Sequence, residues 1–173
     1  MGRMLTTLLL LALTAPLGAG AAERGARADL WNSLGESVGT AIFSERHGGI
    51  AMQIEVHGLR PGSHGFHIHT VGTCQPPDFT SAGGHFNPWG KKHGERNPEG
   101  MHAGDLPNLQ VDAKGVGRLG VAIAGVAMDE GRNGLFHPGG TSLIIHADAD
   151  DGLTDPAGNA GKRVVCGVIV PVP

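Results

Sequence analysis

Gly65-Phe66-His67-Ile68-His69 is the stretch whose reading decides the fold. Two histidines stand two residues apart inside an apolar run. Strand side chains alternate faces, so His67 and His69 should project from one face, their backbones roughly 6–7 Å apart. From that spacing two imidazoles can lean onto one metal ion at about 2 Å each. Two ligands do not complete a coordination shell, so distant parts of the chain have to supply the rest.

Outward from this stretch, no periodicity calls for a helix longer than a turn or two. Short segments alternate apolar and polar residues, the pattern of antiparallel strands. Strands are expected at 28–32, 38–44, 50–56, 65–69, 109–112, 116–123, 141–146 and 163–170. Glycine-rich turns separate them at His47-Gly48-Gly49, Pro61-Gly62 and Ala113-Lys114-Gly115. About eight short strands in about 150 residues predict an all-β sandwich or flattened barrel. Two connections, 70–107 and 147–162, are far longer than hairpin loops, and such loops are usually functional. The first is rich in Gly, Pro, His and Asp and has little apolar material to fix it. It therefore needs a staple, which a metal and a disulfide would provide.

The N-terminus carries its own signature. Arg3 precedes an apolar run from Met4 to Leu13, Pro16 breaks it, and Ala19-Gly20-Ala21 offers small residues for cleavage. This is the layout of a secretory signal peptide, removed after Ala21 or Ala22. The run is short for a bilayer span, and no cysteine lies there to carry a lipid. Residues 1–22 are thus expected to direct export to a periplasm or the outside, and residues 23–173 to form one domain. Thirteen Lys and Arg against sixteen Asp and Glu give a mild negative charge, so neither nucleic acid nor a membrane surface is an expected partner. Cys74 and Cys166 are the only cysteines. In an exported chain an even count reads as one disulfide, with two free buried thiols as the alternative.

Ten histidines stand at positions 47, 57, 64, 67, 69, 85, 93, 102, 137 and 146. His85, His93 and His102 lie in the first long loop, and Asp105 follows the last by three residues. Three imidazoles and one carboxylate form a four-ligand set that suits zinc. His146 ends the apolar run Leu143-Ile144-Ile145 and would join His67 and His69 at a second, imidazole-only site of the kind that suits copper. His47, His57 and His137 have no partner in the pattern and read as solvated or backbone-bonded. His64 reads as structural.

Gly65-Phe66-His67-Ile68-His69, Gly84-His85-Phe86-Asn87-Pro88, Lys92-His93-Gly94, His102-Ala103-Gly104-Asp105-Leu106 and Gly158-Asn159-Ala160-Gly161-Lys162-Arg163-Val164-Val165-Cys166-Gly167 occur in this order. Together they resemble the copper,zinc superoxide dismutase family over nearly the whole mature chain. The resemblance implies an eight-stranded antiparallel Greek-key β-sandwich or flattened barrel with two long functional loops. It implies copper held by His67, His69, His85 and His146, and zinc held by His85, His93, His102 and Asp105, with His85 bridging the two ions. It also implies an intrasubunit disulfide between Cys74 and Cys166, an active-site arginine at Arg163, and an outer aspartate at Asp150 bonded to one copper and one zinc histidine. The implied activity is dismutation of superoxide to oxygen and hydrogen peroxide, copper carrying the electron and His85 a proton.

The sequence departs from the cytosolic eukaryotic branch in two places. The stretch from Cys74 to His85 is longer, which resembles bacterial periplasmic members, and the loop 147–162 is shorter, with no clear counterpart for the charges that steer substrate. Dimer contacts differ between branches, so a homodimer is one arrangement that the resemblance leaves open. Two other readings compete: a non-enzymatic copper-binding or copper-delivery protein on the same fold, and a zinc-stapled structural sandwich with His67, His69 and His146 as core residues. The first is disfavoured because no copper ligand and no arginine is missing, the second because three converging histidines without metal would bury unpaired nitrogens.

Overall fold

The structure is a computed structural model, and it describes residues 25–172. The expected signal segment lies outside the described residues. Nine antiparallel strands follow in chain order: β1 Gly25–Asn32, β2 Ser37–Arg46, β3 Gly49–Val56, β4 Gly62–His64, β5 Phe66–His69, β6 Leu109–Val111, β7 Gly117–Ala124, β8 Thr141–His146 and β9 Arg163–Val172. The single helical turn among the described residues is the 3-10 segment Thr80–Ala82.

Period-2 alternation builds the wall. On β1, Ala26, Ala28 and Leu30 point inward and Arg27, Asp29 and Trp31 outward. On β3 the inward set is Ile50, Met52, Ile54 and Val56. These residues, with Phe43, Phe66, Ile68, Leu143, Ile145 and Val165, form one continuous core. Burying each such side chain is worth roughly 1.5–3 kcal/mol.

The sheet runs β4-β6-β7-β3-β2-β1-β9-β8-β5. β4 and β5 therefore lie at opposite edges, yet only Gly65 separates them in the chain. Gly65, expected as the first residue of the strand 65–69, is in fact a crossing point: His64 pairs with Leu109 on one edge, and Phe66 pairs with Ile145 on the other. This accounts for nine strands where eight were expected. The chain itself joins the sheet edges and nearly closes the barrel. Gly65 is fixed there by its N–H to Asp148 O (2.8 Å) and by its carbonyl accepting from His146 N–H (2.8 Å). A Cβ at this position would press on Ala160 and Asp150 at 2.9 and 3.1 Å, which explains glycine.

β5 and β8 are buried on both faces. Their inward residues join the core, and the two long loops cover their outward face. The free edge of β5 is covered too. Ile68 N–H donates to Gly104 O (2.9 Å), and Phe86 N–H donates to Ile68 O (2.8 Å). Side-chain-free Gly104 is required for this approach, since a Cβ would collide with the Ile68 carbonyl.

The Cys74–Cys166 disulfide is present, its Cα atoms 5.7 Å apart and 92 residues apart in sequence. Around it Phe79, Ala82 and Ile144 form a second small apolar cluster, which anchors the first loop on β8 and β9. Closing a loop of this length restricts the unfolded chain by about 4–5 kcal/mol in the chain-entropy model. Replacing both cysteines by serine should lower the unfolding free energy by about 4 kcal/mol. Urea unfolding at fixed metal content measures it, and a loss below about 1 kcal/mol would show that the apolar cluster alone holds the loop.

Candidate metal centre

β5 delivers His67 and His69 to the outward face, 6.4 Å apart between ring centroids. His67 pairs in register with Ile144, so His146, two residues beyond Ile144 on β8, shares that face. The first loop runs alongside β5 and brings in two more residues by isolated bridges, His85 opposite His69 and Asp105 opposite His67. His85 is flanked by Phe86 and Asp105 by Leu106, both inserted into the core. Alternation thus turns the polar residue of each pair outward and its neighbour inward.

Arg163 reaches the same face through a β-bulge. His146 pairs with Arg163, Ile145 with Val165 and Ile144 with Cys166, so Val164 is the extra residue. Without the bulge, residues 163 and 166, three steps apart, would face opposite sides. With it, both point to the loop-covered face, as bulges beside functional sites commonly arrange.

Two donor groups result, each with ligand atoms within 4.8 Å of one another: His67, His69, His85 and His146, and His85, His93, His102 and Asp105. Every member is buried. In the first group each ring has one nitrogen tied back. His69 Nδ1–H donates to Gly83 O (2.9 Å), His146 Nδ1–H to Gly161 O (3.1 Å), and His67 Nε2–H to Asp150 Oδ2 (2.6 Å). The opposite nitrogens, His67 Nδ1, His69 Nε2 and His146 Nε2, together with His85 Nε2, are buried without any hydrogen-bond partner. Unpaired buried nitrogens are costly, and four that converge fit a cation that accepts their lone pairs. In the second group, the Nδ1 atoms of His85, His93 and His102 surround Asp105 Oδ1 at 2.8, 3.1 and 3.2 Å. Asp105 Oδ2 accepts the N–H groups of Gly94 and His102, both at 2.9 Å, which leaves Oδ1 for the centre. Three imidazoles and a carboxylate suit a four-coordinate ion.

His67, His93 and Asp150 also cluster. There Asp150 meets the rear nitrogens, His67 Nε2 and His93 Nε2 (3.1 Å), so it orients one ring of each group. Sequence reasoning missed its own support. Asn108 donates to Asp150 O and accepts from Asp150 N–H, both at 2.8 Å. An asparagine three residues beyond Asp105 carries no local sign of a partner 42 residues away. His47, His57, His64 and His137 belong to neither group. His64 lies buried with its ring nitrogens 2.7 Å from Arg60 O and His146 O, and His137 stacks on Phe86. Arg163 donates to Phe79 O (2.8 Å) and Gly83 O (2.6 Å), and the latter carbonyl also holds His69.

Electrostatics divide the two groups. Burial, reinforced by neighbouring rings, pushes His67 down to about 3 and His69 to about 2, and burial takes His146 to about 4. His85 is lowered too, by burial working against its bond to Asp105. Burial also opposes charge on His93, but the carboxylates of Asp105 and Asp150 on its two nitrogens outweigh it and raise the ring to about 10. Both carboxyls resist burial and are held well below the usual range, Asp105 chiefly by three imidazoles and Asp150 by His67 and His93. The first group is thus a set of neutral lone pairs, and the second a carboxylate-centred cage.

Buried donors preorganised on an antiparallel barrel, with one imidazole common to two groups, define a metalloprotein class with paired sites. The chain belongs to the copper/zinc superoxide dismutase family, whose model matches residues 37–169. It is 51% identical over 146 residues to superoxide dismutase [Cu-Zn] 2 of Aquifex aeolicus, covering 83% of this chain and 85% of that one. It is 44% identical over 149 residues to a superoxide dismutase-like protein of Bacillus subtilis, covering 84% and 76%. The crystal structure of a superoxide dismutase-like protein from Bacillus subtilis superposes with a TM-score of 0.80 at 42% identity, covering 83% of this chain and 97% of that one.

These shifts set the pH dependence of the metal-free protein. In the unfolded chain histidines take up protons as pH falls through 6.5, whereas folded His146, His67 and His69 stay neutral until about 4, 3 and 2. Each ring therefore withdraws up to about 1.4 kcal/mol of stability per pH unit below 6.5. His93 works the other way: its contribution is complete below 6.5 and is lost as pH rises toward 10. Urea unfolding in chelator should show maximal stability near about pH 6.5, with losses on both sides. A flat profile from there down to about pH 4.5 would contradict the buried neutral rings.

Proposed function

We propose that this chain is a superoxide dismutase that converts two superoxide anions and two protons into oxygen and hydrogen peroxide. The observation that carries the reading is the double membership of His85, whose Nε2 is unpartnered toward the first group while Nδ1 faces Asp105 in the second. Copper is assigned to His67, His69, His85 and His146, and zinc to His85, His93, His102 and Asp105. Bound copper would supply the one-electron redox chemistry that the reaction needs, while zinc, having none, would supply charge and fixed geometry.

The chain's own residues do the rest. His85 Nε2 is where a proton can be held and passed to reduced substrate, because Asp105 keeps the ring aimed from its far side. Arg163 presents a fixed cation whose fork is aligned by the Phe79 and Gly83 carbonyls, so it draws in and orients a small anion. Asp150 locks the tautomer of His67, and the Gly83 and Gly161 carbonyls lock those of His69 and His146. A copper-delivery role on the same fold has against it that all four imidazoles and Arg163 are in place.

The purified chain loaded with both metals should remove superoxide, and absence of activity with both ions bound overturns the reading. Arg163→Ala should cut the rate about 10- to 100-fold with both metals retained, and His146→Ala should abolish the copper visible band together with activity. An unchanged rate in His146→Ala would remove that residue from the site.

Residues 1–22 are assigned as an export signal, a reading supported by the disulfide, which persists in oxidising compartments. Mass spectrometry of the exported chain should find an N-terminus at residue 22 or 23. An intact Met1 on protein recovered outside the cytoplasm would contradict cleavage.

A further inference from the structure

The second long loop touches the zinc-assigned group through a carboxylate besides Asp150. Asp155 Oδ1 accepts the backbone N–H of His93 at 2.6 Å, and Asp155 Oδ2 pairs with Lys92 Nζ at 3.1 Å. The two loops meet closely here. Arg96 N–H donates to Gly152 O at 3.0 Å, and a Cβ on Gly94 would collide with that same carbonyl.

His93 needs such a hold more than His85 and Asp105 do. His85 and Asp105 are bridged to β5, with Phe86 and Leu106 inserted into the core beside them. The segment carrying His93 is bridged to no strand: its one bridge, Lys92 to Gly100, lies within its own loop, and it is further tied from Gly94 N–H to Asp105 and from Arg96 N–H to Gly152 O. It lies between two glycines in the left-handed region, Gly90 (φ 63°) and Gly94 (φ 96°), which place few restraints on the backbone. A charged acceptor on its amide is about twice as strong a tie as a neutral one. His93 is therefore gripped at three points by three different carboxylates: Asp105 on Nδ1, Asp150 on Nε2 and Asp155 on the backbone.

We propose that Asp155, backed by Lys92, is a positioning residue that holds His93 in its donor group and so governs how fast zinc escapes. The inference rests on reading that group as the zinc site. Metal leaves a four-ligand cage by successive detachment, and the ligand on the least anchored backbone detaches first. Asp155 strengthens the backbone anchor of His93, which no strand supplies. It touches neither ion nor substrate and acts only through the His93 amide.

The test follows zinc release from the copper- and zinc-loaded protein into excess chromogenic chelator. The variants are Asp155→Ala, Asp155→Asn, Lys92→Ala and Asp151→Ala. Asp151 knits the same loop internally through Leu153, Thr154 and Asn159 without reaching a donor, so it reports general loosening of the loop. Asp155→Ala should release zinc about tenfold faster. Asp155→Asn, which keeps a neutral acceptor, should fall between it and the parent, and should decide the matter if the alanine variant does not fold. Lys92→Ala should stay within about threefold and Asp151→Ala within about twofold of the parent. With cobalt in place of zinc, the ligand-field band should shift in Asp155→Ala and recover in Asp155→Asn. Release within twofold of the parent in both Asp155 variants, or equal acceleration in Asp151→Ala, overturns the proposal while leaving the zinc assignment intact. A parent chain that binds no zinc overturns both.

Discussion

One imidazole, that of His85, faces two groups of donors, and the surrounding chain is arranged to keep it there. Its backbone lies alongside β5, opposite His69. Its neighbour Phe86 is sunk in the core, and its Nδ1 is held by Asp105. A ring fixed from both ends can serve two ions only if every other donor is equally fixed. The fold meets that demand by burying both faces of β5 and β8, one against the barrel interior and one against the loops. Strands alone supply three of the imidazoles, and the long loops supply the rest. The loops are ordered by what they cover: an apolar anchor at Phe79, a disulfide, and carboxylates that reach back to the rings.

The centre also explains a distribution of charge that would otherwise be unfavourable. Buried carboxylates such as Asp105 and Asp150 are expensive unless surrounded by donors. Here they are, by imidazole and backbone N–H groups. The converging lone pairs of the first group have no protein donor at all, whereas the second group is built around a carboxylate.

Much of this was legible in the sequence because it is local. Alternation around His67 and His69 placed both on one face, and the spacing of His85, His93, His102 and Asp105 in a loop with little apolar content announced a cage. The apolar run ending at His146 marked a strand that carries a third imidazole. What was not legible depends on contacts between distant segments. Gly65 reads as the first residue of a strand, yet it is the joint between two sheet edges, which only the closed ladder reveals. Asn108 holds Asp150 across 42 residues and Asp155 holds His93 across 62, and neither residue type nor spacing betrays that. The expected strand 28–32 begins earlier, at Gly25, because pairing to β2 and β9 extends it beyond its own alternation signal.

The bulge at Val164 has a consequence for how this strand can vary. Three steps separate Arg163 from Cys166, which in a regular strand would set them on opposite faces, and only the looped-out Val164 brings them to one side. Val164 is half-buried and packs against the core, so its place favours an apolar side chain of similar size. Deleting Val164 would leave Arg163 opposite His146 and Cys166 opposite Ile144 in a regular ladder, whereas straightening the bulge at full length would turn the guanidinium away from the histidines. Drift along β9 is therefore constrained by whether the strand keeps its irregularity, and ironing it out without losing a residue would part Arg163 from the histidine cluster in an otherwise intact barrel.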